Sequence, residues 1–307
     1  MVAHCLKLLV VAWIFTALWL VVGLSPGAMS QFPAVFPAPR VVLYCFSVAF
    51  FFVPMLLVQL VIARLLNRTD ATPRSSWGDL IKSWAIEALL VVRVFCWNMS
   101  FAPNRFPDQL DDTFSHRGRR GVVFIHGFVC NRGIWTPWLK RLTHSRRAFV
   151  AVSLTPAFGS IDRYADAIDQ AIRKVAKATG QPPLVIGHSM GGLAVRAWLR
   201  ADRDGDSRVH HIITIGSPHQ GTWLSRLPFP RNAQQMAIGS EWLKNLEIEE
   251  TASRYQLFTC YYSNCDNIVF PASKATLPGA RNRHLHGVPH VALAYDQTVI
   301  TESLARL

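Results

Sequence analysis

The stretch Leu184 to Gly192 reads LVIGHSMGG, an apolar run that ends on a serine with glycines around it. Gly-x-Ser-x-Gly between a strand and a helix makes a turn so sharp that the residues around the serine must be nearly free of side chains. Gly187, Gly191 and Gly192 supply that room. Ser189 is then exposed above the sheet at the amino end of a helix, whose dipole favours a developing negative charge. Such a hydroxyl is a candidate nucleophile. At neutral pH it is a weak one, so it needs a base, and the base needs an acid to orient it.

Those partners have a preferred order after the serine: acid, then histidine. Asp202, Asp204 and Asp206 precede a strand and fall at the wrong end of a sheet; Glu247, Glu249 and Glu250 read as a solvated helix end. Asp266 directly follows the strand-like YQLFTCYYS, at the carboxyl edge where ligands bind, and is the candidate acid. For the base, His284 and His286 lie two apart on a strand, whereas His290 sits in the loop GVPHVAL before the last helix. That loop can reach over to the serine, so His290 is the candidate base. The oxyanion of an acyl-transfer intermediate needs backbone donors. The N–H of Met190, after the nucleophile, is one, and the N–H of Phe128, in FIHGFVC after the first strand, is the other. His126 reads as a loop-shaping residue, and His210 and His211 as structural.

The elements that must hold these residues alternate. GVVFIHG, RAFVAVSL, PPLVIG, HHIITIGS and YQLFTCYYS read as strands, and RNRHLHGV as a weaker sixth. Helical patterns occupy Ser160 to Ala178, with Ser160 as N-cap, then MGGLAVRAWLRA, and a closing helix over VALAYDQTVITESLARL. Strands alternating with helices imply an α/β domain with a parallel sheet covered on both faces. Between Ser217 and Ser253 lies an insertion whose Met236, Ile238, Trp242 and Leu243 are expected to form an apolar rim over a shallow, open site.

The motifs HGF, GHSMGG, TIGSPHQGT, YSNCDNIVFP and GARNRHLHGVPHVAL together resemble bacterial α/β-hydrolase lipases and esterases, especially the small triacylglycerol-lipase type. The resemblance covers about residues 120 to 307. It implies the α/β-hydrolase fold, a Ser189–Asp266–His290 triad and ester hydrolysis without a metal. Acyl transfer or thioester cleavage by the same triad, and a non-catalytic membrane scaffold on the same fold, are the alternatives.

The front of the chain departs from that family, whose small lipases are typically secreted. The chain has 307 residues, 50% hydrophobic. Leu8 to Leu24 and Val41 to Ile62 carry no charge and approach the roughly 20 residues of a membrane span. The first reads as an uncleaved anchor rather than a signal peptide, because SPGAMSQ is a poor cleavage site. Basic residues flank the outer ends of this hairpin: Lys7 before it, Arg64, Arg68, Arg74 and Lys82 after it. The positive-inside bias then places the catalytic domain in the cytoplasm, held at the cell membrane. Trp77 to Trp97 mixes apolar residues with Asp79, Lys82, Glu87 and Arg93, which suits a helix lying at the membrane surface better than a third span. The expected organisation is a two-helix anchor over residues 1–70, an interfacial helix and linker over 71–116, and a catalytic domain over 117–307.

The formal charge of +13, with eight Lys/Arg and no Asp or Glu from Thr113 to Arg147, comes with no aromatic-basic motif. Anionic lipid headgroups fit it better than nucleic acid. The six cysteines show no paired metal-ligand spacing. Cys260 and Cys265 could bridge across a turn, but free thiols are the simpler reading. No cofactor and no metal are expected, and the expected substrate is a lipid or other acyl ester.

Overall fold

β-branched runs buried on both faces belong in the middle of a parallel sheet, and they are found there. In the computed structural model, residues 52–110, 116–226 and 230–307 are described. The strands are β1 (Val122–Ile125), β2 (Phe149–Val152), β3 (Leu184–His188), β4 (His211–Ile215), β5 (Phe258–Ser263) and β6 (Arg281–Leu285). They form one sheet in the order β2-β1-β3-β4-β5-β6, every pair parallel. Each expected strand is present, and the edge strand β6 alone has no buried residue and is mostly polar, which is why it reads weakly in sequence.

The helices, in chain order, are α1 (Phe52–Leu66), α2 (Trp77–Val91), α3 (Thr136–His144), α4 (Ala165–Thr179), α5 (Met190–Ala201), α6 (Arg231–Gln235), α7 (Glu241–Ile248), α8 (His290–Leu293) and α9 (Gln297–Leu304). One apolar core packs α4 and α5 against one face of the sheet, through Ile168, Ile172, Leu193 and Trp198. The other packs α3 and the carboxyl-terminal helices against the opposite face, through Trp135, Trp138, Leu293 and Ile300.

Three expectations change in detail. Ser160 accepts a bond from Asp162 N, but the first turn, Ile161–Tyr164, is a 3-10 turn and the α-helix starts at Ala165. The closing helix is broken in two, because Asp296 leaves helical geometry and caps α9 through Thr298 N and Val299 N. Glu250 is no solvated helix end. Its carboxylate is buried against the Arg196 guanidinium of α5, and Arg196 also donates to His219 O at 2.8 Å.

The amino-terminal part is more integral to the domain than a surface helix and linker. Ser76 and Asp79 form a reciprocal capping box that starts α2. A π-helical stretch, Val92–Asn98, follows α2. Leu56, Leu60 and Ala63 of α1 are buried, as are Leu80, Ser83, Glu87 and Ala88 of α2. The outward face differs. Among the described residues, eleven of the thirteen exposed large apolar side chains lie between Met55 and Phe101, among them Trp77, Ile81, Leu89 and Trp97. No helix among the described residues is long and apolar enough to cross a membrane. The Leu8–Leu24 run and the first part of the Val41–Ile62 run lie outside the described residues.

Four of the described cysteines, Cys96, Cys130, Cys260 and Cys265, are free thiols, so no bridge joins Cys260 to Cys265.

Removing Arg196 would leave the buried Glu250 carboxylate without its counter-charge. We expect Arg196→Ala to cost about 3–5 kcal/mol, measured as a lowered melting temperature of the full chain in detergent. An unchanged melt would show that the pair is not needed for the fold.

Candidate active site

Strand β3 delivers His188 and then Ser189, where the backbone turns into α5. Ser189 has φ 55° and ψ −128°, outside the helical and extended regions open to most side chains. Such a residue costs of order 1–3 kcal/mol and persists only when its surroundings hold it. Here Ser189 N donates to Ile215 O of β4 at 2.9 Å, and Gly192 N donates to Ser189 O at 3.1 Å. A serine in the ordinary N-cap geometry would bond its hydroxyl to the next turn; Ser189 makes no such bond, so its Oγ is not consumed by capping. Gly191 permits the tight turn: a Cβ there would lie 2.3 Å from Ile125 O at the end of β1.

Asp266 follows β5, as the sequence suggests, and is 2% exposed. Its Oδ1 accepts from Ile268 N and Val269 N, both at 2.8 Å. Both of its oxygens lie 2.9 Å from His290 Nδ1, which donates to them. This bond fixes the tautomer and leaves His290 Nε2 free to take a proton. Burial opposes the imidazolium, but the Asp266 carboxylate outweighs it and raises the His290 pKa above the ordinary value.

Ser189 and the Asp266–His290 pair share one neighbourhood through β3 and β4. The His188 ring lies 4.7 Å from the His290 ring, centroid to centroid, and His188 Nε2 donates to His290 O at 3.2 Å. Gly216, the first residue after β4, has φ 54°; a Cβ on it would sit 3.0 Å from Asp266 Oδ2 and 3.1 Å from His290 Nδ1.

The loop after β1 approaches from the other side, close enough that a Cβ on Gly127 would lie 2.8 Å from Ser189 Cβ. It carries Phe128, and Val129 beside it has φ 54°. His126 shapes this loop: its Nδ1 donates to Gly127 O at 2.9 Å and its Nε2 accepts from Leu154 N at 3.0 Å. Met190 opens α5 directly after the serine. Phe128 follows Gly127 in the loop that touches Ser189, and Met190 follows the serine itself. Beside them is a closed crevice, too narrow to hold a water molecule, lined by Val129, Cys130, Leu154, Ala157, Tyr164 and Met190.

The remaining candidates are elsewhere. His286 donates to Asp79 at 2.9 Å, and His284 packs on the Tyr262 ring. Asp202 pairs with Arg208, and Asp206 with Arg254. Among the described residues no group of three or more His, Cys, Asp or Glu could hold a metal ion.

Two expectations about the surroundings are corrected. Met236 and Leu243 do not form a rim but are buried in the core against α5, while Trp242 donates to Asp162. The basic run also lies away from the site. Arg119, Arg120 and Arg147 precede β1 and β2 at the amino edge of the sheet and donate to the carbonyls of Ser145, Pro182 and Leu307. Arg132 pairs with Asp108. These charges act as local caps, so they form no collar around the serine.

The combination of a strained serine after the third strand, an acid after the fifth and a histidine after the sixth is that of a known fold. The chain belongs to the Alpha/beta hydrolase family. Residues 122–299, more than half of the chain, match it. Among solved structures, Aspergillus fumigatus lipase B superposes with a TM-score of 0.54 at 20% identity, over 64% of this chain and 56% of that one. Mature Bacillus licheniformis lipase BlEst2 also gives 0.54, at 14% identity, over 61% of this chain and 91% of that one. At such identities the likeness is one of fold. A 117-residue segment is 31% identical to lecithin-cholesterol acyltransferase-like 4 of Arabidopsis thaliana, covering 34% of this chain and 22% of that protein. The chain therefore spans about a fifth of that relative's length.

Sequence reading missed Gly216, His188 and Asn267. The signal for Gly216 is a glycine immediately after a buried strand, at the edge where the site lies. We expect Gly216→Ala to reduce turnover by about a hundredfold, because its Cβ displaces both members of the acid–base pair, with only a modest fall in melting temperature. Turnover at the wild-type level would show that this approach is not needed.

Proposed function

We propose that the protein is a membrane-anchored serine hydrolase of acyl esters. Ser189 Oγ attacks the acyl carbonyl carbon while His290 Nε2 takes the hydroxyl proton. Asp266 holds the imidazole and stabilises the imidazolium. The N–H groups of Phe128 and Met190 bind the oxyanion of the tetrahedral intermediate. Collapse expels the alcohol, which takes the proton back from His290 and leaves an acyl-enzyme. Water then attacks the acyl-enzyme with His290 again as base, releasing the acid. Family membership supports the hydrolase part of this reading. The observation that carries the mechanism is the left-handed Ser189 beside the Asp266–His290 hydrogen bond.

The lipid-like substrate and the membrane rest on two features. The side chains beside Met190 and Gly127, Val129, Leu154 and Ala157 among them, are mainly apolar, and an acyl chain would enter by displacing them, since the crevice they line is closed in this structure. The exposed apolar side chains of α1, α2 and the π-helical stretch belong to elements that touch the acid and base loops, so this face would bring the site to a lipid surface. The charge-free runs upstream would anchor it, with the domain in the cytoplasm. The lecithin-cholesterol acyltransferase-like relative favours a second reading, acyl transfer, in which an alcohol replaces water in deacylation. Adding a primary alcohol to the assay separates the two: transfer would yield a new ester instead of free acid.

The test is kcat/KM of the full chain in detergent on p-nitrophenyl esters from acetyl to palmitoyl, with and without EDTA. Each buried methylene is worth about 0.8 kcal/mol, so the value should climb by about fourfold per carbon until the crevice is full, unaffected by EDTA. Ser189→Ala should lower kcat by about 10⁴-fold or more without unfolding the chain. A preference for acetate would contradict the lipid reading, and an active alanine variant the mechanism.

A further inference from the structure

The first three N–H groups of the short helix that starts at His290 have no partner within that helix. They are satisfied one by one from other elements. His290 N donates to Asn267 Oδ1 at 3.2 Å, Val291 N to Glu87 Oε1 at 2.7 Å and Ala292 N to Glu87 Oε2 at 3.1 Å. The turn's own bonds begin only with Leu293 N, to Pro289 O at 3.0 Å, and continue with Ala294 N to Val291 O at 3.1 Å and Tyr295 N to Ala292 O at 2.9 Å. The preceding loop is held in the same way: Gly287 N bonds Asn264, Val288 N bonds Ser263, and Gly287 O accepts from Ser83.

Glu87 and Ser83 belong to α2, upstream of the family-matched residues 122–299. Glu87 is 1% exposed, so a carboxylate has been taken out of water and given both its oxygens to this turn. Burying a carboxylate is expensive, and an apolar residue would pack there at lower cost. The charged and titratable groups that face it are His290 and Asp266, with His188 behind His290.

On the hydrolase reading above, we propose that Glu87 is a positioning residue for His290: it fixes the backbone on which the imidazole stands and places a second negative charge behind the Asp266–His290 pair. The amino-terminal helices are then part of the catalytic machinery, and a protein trimmed to the family-matched region would lack it. Two observations agree with the geometry. Burial, partly offset by the Val291 N–H and His290, pushes Glu87 up to about 7, so it titrates together with His290, and its ionised form adds to the Asp266 charge that holds His290 above the ordinary imidazole value.

The test is the pH dependence of kcat/KM for the full chain in detergent with one p-nitrophenyl ester. Glu87→Gln keeps the shape but sets an amide donor against one of the two N–H groups and removes the charge. It should lower kcat by about tenfold to a hundredfold with KM little changed, and move the acid limb to lower pH. Glu87→Asp keeps the charge at a shorter reach; it should lose part of kcat while its acid limb stays in place. Ser83→Ala removes a neutral bond to the same loop and should leave the limb where it is. A Gln variant with an unmoved limb, or a Ser83→Ala limb that moves as far, would overturn the proposal. Should the Gln variant not fold, the Asp variant decides: undiminished kcat or a displaced limb overturns it. An inactive wild type would instead sink the hydrolase reading on which the inference rests, so the two failures are distinct.

Discussion

The site depends on one unfavourable backbone conformation, the left-handed Ser189 at the junction of β3 and α5. A serine with φ near +55° is not stable on its own account. It is held by Ile215 O on one side and by helix α5 on the other, and α5 can come that close only because Gly191 lies flat against the end of β1. The sheet is thus a clamp. Its central strands are rigid because they are apolar on both faces, and that rigidity holds the serine in its strained geometry while its hydroxyl stays free.

The second half of the site is built by different means. Asp266 lies on a loop and His290 at the first position of the short helix α8, where the leading N–H groups have no partner of their own, and their backbones are fixed largely by side chains. Asp266 bonds the amides that follow it; Asn264, Asn267 and Ser263 hold the histidine loop from below, and Glu87 and Ser83 hold it from α2. The serine is therefore placed by main-chain packing, and its base by a set of polar pegs. The second arrangement is more easily perturbed, since each peg is a single side chain. It also links His290 to helices whose outer face is apolar.

Local pattern located the strands and the elbow and pointed to Asp266 and His290, which the fold brings within hydrogen-bond distance, because each is announced by nearby residues: an apolar run, a glycine pair, the end of a strand, a loop before a helix. What pattern could not reveal are contacts between distant segments. Glu87 looks like the polar side of a surface helix until His290, some 200 residues later, folds over it. Glu250 looks solvated until Arg196 is placed on the inner side of α5. Met236 and Leu243 look like a rim because hydrophobicity gives no sign of which face is covered. The break at Asp296 and the capping box at Ser76 were legible in principle, since Asp before a helical turn and Ser-x-x-Asp are local signals.

The central claim is that Ser189 is a nucleophile activated by His290. The most direct measurement is covalent labelling of the full chain with a fluorophosphonate, followed by peptide mass spectrometry. The account predicts a single adduct on the peptide containing Ser189, formed at least a hundredfold more slowly in a folded His290→Ala variant, as the loss of a general base requires by about 10²–10⁴. No adduct on the folded wild-type chain, an adduct at another residue, or labelling at the same rate without His290 would contradict it.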